Sequence, residues 1–173
     1  ALKQLDTVEI EPAIVESAAA FKPMNQRAFD DPRHRIVIDD AKSFFTRGQR
    51  HYDVIVSEPS NPWVSGVASL FTEEFYARAR LHLNPGGLLV QWLQVYEITP
   101  ELVASVFTAL EKSFPVYEVH MGSSGDMVLV AGTGAQMPPR RDAVFAMPQV
   151  ATMLQRVGIA NANHLALQFV ADQ

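Results

Sequence analysis

Four runs of β-branched and aliphatic residues, most followed by a helix-like pattern, restrict this 173-residue chain more than any other feature. They are Leu5 to Ile10 (LDTVEI), Arg35 to Ile38 (RIVI), Tyr52 to Ser57 (YDVIVS) and Leu88 to Leu93 (LLVQWL). A helix between two strands carries the chain back to the starting end of the sheet, so the next strand pairs in parallel. YDVIVS is nearly continuous in apolar character, which predicts a strand covered on both faces.

The connecting segments carry their own signals. Pro12 suits a first helical position, and Ala13 to Phe21 reads as a helix. Lys22 to Arg35 reads as loop, with Pro23 and Pro32 as breakers. Asp39 and Asp40 precede a short helix over Ala41 to Thr46, and Thr72 caps a helix running to about His82, with Glu73 and Glu74 in its first turn. Asn84-Pro85-Gly86-Gly87 predicts a turn, and Thr99 caps a helix near Pro100 to Ser113.

The pattern then changes. Val116 to Met121 and Met127 to Ala131 are joined by Gly122-Ser123-Ser124-Gly125-Asp126, a connection short enough to predict an antiparallel hairpin. A loop with Pro138 and Pro139 leads to two short helices, Pro148 to Val157 and Asn163 to Ala171. The class predicted is α/β, a Rossmann-like doubly wound sheet, mostly parallel with a C-terminal antiparallel hairpin. Residues 1–135 form its domain, and 136–173 a helical extension of that same domain.

Composition narrows the function. Apolar residues at 48% and charged residues at 19% describe a globular chain. A net charge of −5 argues against a broad nucleic-acid-binding face and suits a cationic small substrate. The absence of cysteine excludes disulfides, a thiol nucleophile and thiolate zinc sites. His34, His51, His82, His120 and His164 lie too far apart for a metal-ligand spacing, so no metal is expected. No serine sits in a nucleophile elbow, and Gly86-Gly87 follows a helix rather than a strand, the wrong order for a phosphate cradle. No apolar run approaches the ~18 residues of a membrane span. The chain opens at Ala1 without Met, which reads as a piece of something longer.

In doubly wound sheets ligands bind beyond the carboxyl ends of the strands. Glu9 and Glu11 flank Ile10 after the first strand; one of them could accept from both hydroxyls of a ribose, or stabilise the helix start that follows. After the second strand, Asp39 or Asp40, with Ala41 beside it, could meet an adenine amino group, or cap the short helix. Glu58, Pro59, Ser60, Asn61, Pro62 and Trp63 follow the third strand. There a carboxylate stands at the strand terminus beside a stiff, aromatic turn, and it could take a proton from an attacking amine; the alternative is a rigid surface loop. Gln91, Trp92, Gln94, Tyr96 and Glu97 close the fourth strand, as a pocket lining or as plain half-buried alternation.

Taken in order, VEIEP, IVIDDAKSFF, YDVIVSEPSNPW, LFTEEFY and LNPGGLLVQW resemble the polyamine aminopropyltransferases, the spermidine synthase family. The likeness covers about residues 5–132 and is nearest to bacterial spermidine synthase-like domains, many of them fused to membrane segments. The resemblance implies a sheet of the S-adenosylmethionine-dependent methyltransferase type and transfer of an aminopropyl group from decarboxylated S-adenosylmethionine to putrescine or a similar amine. It implies Glu9 as the ribose-binding acid, Asp40 and Ala41 at the adenine, and Glu58 as the catalytic base. Asn61, Trp63, Tyr76 and Gln91 are then the amine-side residues. It also implies a cytoplasmic domain, a homodimer, no nucleic-acid partner, and a parent protein of the inner membrane where such a fusion exists.

Two departures qualify the likeness. Glu58 and Asn61 stand where the family's motif has two aspartates. Glu keeps the base with a longer reach, whereas Asn removes a charge that would anchor a diamine, so an acceptor other than putrescine is expected. The family's first strand and glycine-rich loop precede the segment matching LDTVEI, so weak donor binding is expected of this stretch alone. The competing readings are a methyltransferase using S-adenosylmethionine, which shares the fold, and a non-catalytic polyamine-binding or structural module of a larger membrane protein.

Overall fold

The computed structural model describes residues 2–59, 66–122 and 125–172. It divides into two compact units, Ala1–Gln49 and Arg50–Gln173, each with its own sheet.

In the first unit, β1 (Leu5–Glu9) and β2 (His34–Ile38) pair in parallel, from Leu5 opposite His34 to Glu9 opposite Ile38. The connection holds α1 (Pro12–Ala18), a 3-10 turn at Ala19–Phe21 and α2 (Gln26–Asp30). Helix α2 corrects the expectation of loop over Lys22 to Arg35. Pro23 and Pro32 lie outside it, so the stretch between them contains no breaker and closes one helical turn. β2 leads into α3 (Ala41–Arg47).

The second unit contains β3 (Tyr52–Ser57), α4 (Glu73–Leu81), β4 (Leu83–Gln94), α5 (Pro100–Glu111), β5 (Val116–Met121) and β6 (Asp126–Gly132). After them come α6 (Pro148–Arg156), α7 (Ala162–Ala166) and β7 (Phe169–Asp172). The strand order is β3-β4-β6-β5-β7. Only the helix-linked pair β3 and β4 is parallel; β4 with β6, β6 with β5, and β5 with β7 are antiparallel. The α/β class therefore holds, but the second unit is mostly antiparallel. The predicted hairpin lays its second strand directly on β4. The last helix expected from the sequence ends at Ala166, and Phe169–Asp172 instead pairs with β5. An open backbone edge outweighs helix propensity in a segment bearing Phe169 and Val170.

The predicted Asn84–Gly87 turn is a bulge inside β4. Tyr52 pairs with Leu83, but Val54 already pairs with Leu88. Asn84 Nδ2 donates to Asp53 Oδ1 at 2.9 Å across the irregularity. Gly86 holds a φ of 76°, and a Cβ on Gly87 would meet the Asn84 carbonyl oxygen at 2.9 Å and that of Asp53 at 3.2 Å. Both positions therefore require glycine.

Alternation along β4 sends Leu89, Gln91 and Leu93 to one buried face. Leu129 and Ala131 of β6 and Val119 of β5 join them, with Phe75, Tyr76 and Ala79 of α4 and Val106, Ala109 and Leu110 of α5. On β3, Ile55 is 8% exposed, whereas Val54 and Val56 are 49% and 59% exposed. Coverage on both faces, expected for YDVIVS, is thus not found: β3 is an edge strand of its sheet and only its Ile55 face is buried.

Two phenols titrate abnormally. The buried Tyr117 hydroxyl donates to Glu111 Oε1 at 2.8 Å, and burial first, then that carboxylate, push it up to about 12. Burial also raises Tyr76. A phenol raised on folding contributes stability in full below its unfolded value, about 10. That contribution is lost as pH rises through the folded value. Urea midpoints should therefore fall between about pH 10 and about 12, less steeply in Tyr117→Phe than in the wild type. Leu89→Ala should cost about 2–5 kcal/mol by urea unfolding, because the cavity lies in the core. Val56→Thr should change stability by less than about 1 kcal/mol, because its side chain stays largely in water.

Candidate functional site

The carboxyl ends of β1 and β2 lie side by side. The Asp39 N–H donates to the Glu9 carbonyl at 3.0 Å, which gathers Glu9, Asp39 and Asp40 at one end of the two-stranded sheet. Each acid also performs a local task. Glu9 Oε1 accepts the Glu11 N–H at 2.9 Å, and Glu11 Oε1 accepts the Ala13 N–H at 3.0 Å as the N-cap of α1. Of the two acids flanking Ile10, Glu11 is thus the one that stabilises the helix start. Asp40 caps α3, its Oδ2 accepting the Ser43 N–H at 3.0 Å, and Ala41 is the first residue of that helix. Asp39 pairs with Arg47, an engagement that sequence spacing did not reveal. Glu9, Asp40 and Ala41 are all half-buried.

The capping role of Asp40 is testable. Asp40→Ala should lower stability by about 0.5–2 kcal/mol in thermal or urea unfolding, since it strips the cap. Asp40→Asn, which keeps an acceptor, should unfold close to wild type; equal losses in both would show that charge rather than capping is at work.

In the second unit, β3 ends at Ser57, and Glu58 follows with its side chain exposed. Asn61 and Trp63 lie outside the described residues. Gln91 sits directly opposite Ser57 in the β3–β4 register. Its side chain is 0% exposed, and it is the buried polar residue of the core among the described residues. Gln91 Nε2 lies 3.3 Å from Ser57 Oγ, 3.5 Å from the Ser57 carbonyl oxygen and 3.3 Å from the Trp92 carbonyl oxygen. Tyr76, on the inner face of α4, is also 0% exposed. Among the described residues, neither Tyr76 Oη nor Gln91 Oε1 meets a hydrogen-bond partner. Strand alternation with Leu89 and Leu93, and helical spacing with Phe75 and Ala79, place these two side chains inward. Ser57 was not singled out from the sequence, because its relation to Gln91 exists only through register.

No group of three or more His, Asp or Glu suited to a metal occurs among the described residues, and none of their helices is long and apolar enough to cross a membrane.

Comparison with known proteins adds a family to this geometry. The spermine/spermidine synthase domain family matches residues 1–122. Polyamine aminopropyltransferase 1 of Pseudomonas aeruginosa is 40% identical over 90 residues, covering 51% of this chain and 31% of that protein. The spermidine synthase from Thermotoga maritima superposes with a TM-score of 0.70 at 21% identity, over 98% of this chain and 57% of that one. A spermidine synthase in complex with the transition state analogue AdoDATO gives 0.69 at 24% identity, over 78% and 48%. At those identities the structural likeness establishes the fold. The chain spans about a third of the relative's length and about half of each structure. The match over residues 1–122 includes every acid at the strand ends described above, and by it this chain belongs to the spermine/spermidine synthase domain family.

Proposed function

We propose that this chain serves aminopropyl transfer from decarboxylated S-adenosylmethionine to a diamine or related amine, with Glu58 as the base. The observation that carries the reading is the exposed carboxylate immediately beyond the last residue of β3, in a chain of this family. The AdoDATO complex of a spermidine synthase supports a donor of this class.

A protonated amine has no lone pair for attack. Glu58 takes a proton from the acceptor ammonium, and the freed nitrogen forms a bond to the propyl carbon attached to the sulfonium. The C–S bond breaks and its electron pair returns to sulfur, which leaves as a neutral thioether of adenosine. Because the donor brings its own leaving group, the protein's work is alignment and one proton transfer. Glu9 is assigned to the ribose hydroxyls, and Asp40 with Ala41 to the adenine. Asn61 and Trp63 are assigned to the amine side; Tyr76 and Gln91, both 0% exposed, are assigned to supporting that side from the core. With Asn61 uncharged, the second nitrogen of a diamine lacks one carboxylate anchor, so acceptors with a neutral or differently placed distal group should compete with putrescine.

The test is an assay of the full-length protein with each donor and a panel of amines. Aminopropyl product from decarboxylated S-adenosylmethionine, and none methylated from S-adenosylmethionine, is the expected result. Glu58→Gln should lower kcat about 10²–10⁴-fold, the usual weight of a positioned base. Methylated product, or amine binding without turnover of either donor, would overturn the proposal.

A further inference from the structure

Among the described residues of the second unit, the sheet fully buries one polar side chain. Gln91 lies between Leu89 and Leu93 on the inward face of β4 and is 0% exposed. Its amide is half used: Nε2 faces Ser57 Oγ, the Ser57 carbonyl and the Trp92 carbonyl, while Oε1 meets no donor among the described residues. Leaving a buried amide oxygen unpaired is unfavourable, and a leucine or methionine would avoid it. The geometry of Nε2 shows what the amide does. Two of its three acceptors belong to Ser57, the last residue of β3 and the residue that pairs with Gln91 across the sheet. The next residue is Glu58.

We infer that Gln91 is a positioning residue: by holding the hydroxyl and carbonyl of Ser57 it sets the direction in which the chain leaves β3, and so the aim of Glu58. The carbonyl of Ser57 is part of the peptide unit that leads into Glu58, so a donor on that oxygen fixes the plane from which the glutamate side chain departs. The contacts are long, 3.3 to 3.5 Å, and one NH₂ group is shared among them. Such an arrangement orients a strand end without adding much stability. The inference rests on the assignment of Glu58 as base and deepens it. It gives Gln91 a role through β3, in place of direct contact with the amine.

Gln91→Met preserves length and shape without the amide; Ser57→Ala removes one acceptor from the other side and serves if Gln91→Met folds poorly. Both are assayed for aminopropyl transfer in Glu58 and Glu58→Gln backgrounds, and amide hydrogen exchange is followed over residues 55–58. The expected result for Gln91→Met is a fall in kcat of about tenfold or more with the amine KM within about twofold, the signature of a contact that matters in the transition state rather than in binding. The loss should vanish in the Glu58→Gln background, since Gln91 acts only through that carboxylate. Exchange at 55–58 should quicken, while the global unfolding midpoint stays near wild type. Ser57→Ala should shift the same readouts in the same direction, by less. A raised KM at unchanged kcat would make Gln91 an amine contact and overturn the inference. Equal losses in both backgrounds, or unchanged exchange, would do the same while leaving Glu58 as the base. Full turnover in Glu58→Gln alone would overturn the base assignment, and this inference with it.

Discussion

The parallel pairing of β3 with β4 is the constraint on which the second unit depends. It runs in register from Val54 opposite Leu88 to Ser57 opposite Gln91, after a bulge that only Gly86 and Gly87 can close. Had the irregularity between Leu83 and Leu88 admitted one residue more or fewer, every side chain of β4 beyond it would have changed face. Leu89, Gln91 and Leu93 would then lie on the half-buried face now held by Leu88, Val90 and Trp92, and Ser57 would face a different neighbour. The bulge, held by Asn84 on Asp53, therefore decides both the core and the surroundings of the strand end that bears Glu58.

The acids of the first unit are engaged in local structure and still carry a carboxylate oxygen that local structure does not use. Asp40 caps α3, Glu11 caps α1 and Glu9 closes the turn between β1 and α1. Capping uses one carboxylate oxygen and leaves the other able to accept from a ligand. Local structure and ligand recognition are thus compatible demands on the same side chain. That is why the capping and binding readings of these positions could not be separated by residue type.

Family membership and residue chemistry pull in different directions at the third strand end. The family's match extends through it, yet a glutamate and an asparagine occupy the positions at issue, Glu58 and Asn61. A carboxylate survives at the strand terminus, so a proton acceptor survives. The second negative charge does not, and with it goes part of the attraction for a dication. Under the proposed function, the chemical step and the choice of acceptor are therefore separable.

Much of the architecture was legible in short-range pattern. The β-branched runs, the Thr72 and Thr99 caps and the glycine-bearing hairpin all act over a few residues, and the elements they predict are present. What failed did so for non-local reasons. Helix α2 formed between two prolines that bound it rather than break it, Phe169–Asp172 became a strand because β5 offered an edge, and β3 buries Ile55 while Val54 and Val56 on its other face stay exposed. By itself the sequence determined the α/β class, most of the helices and strands and the acidic strand ends, since these follow from periodicity, capping and residue charge. Only the tertiary structure decided the division into two sheets, the inward turn of Tyr76 and Gln91, and the meeting of Gln91 with Ser57. Those depend on which faces and edges of distant segments find partners, and for Gln91 and Ser57 on the β3–β4 register, a property no local stretch contains.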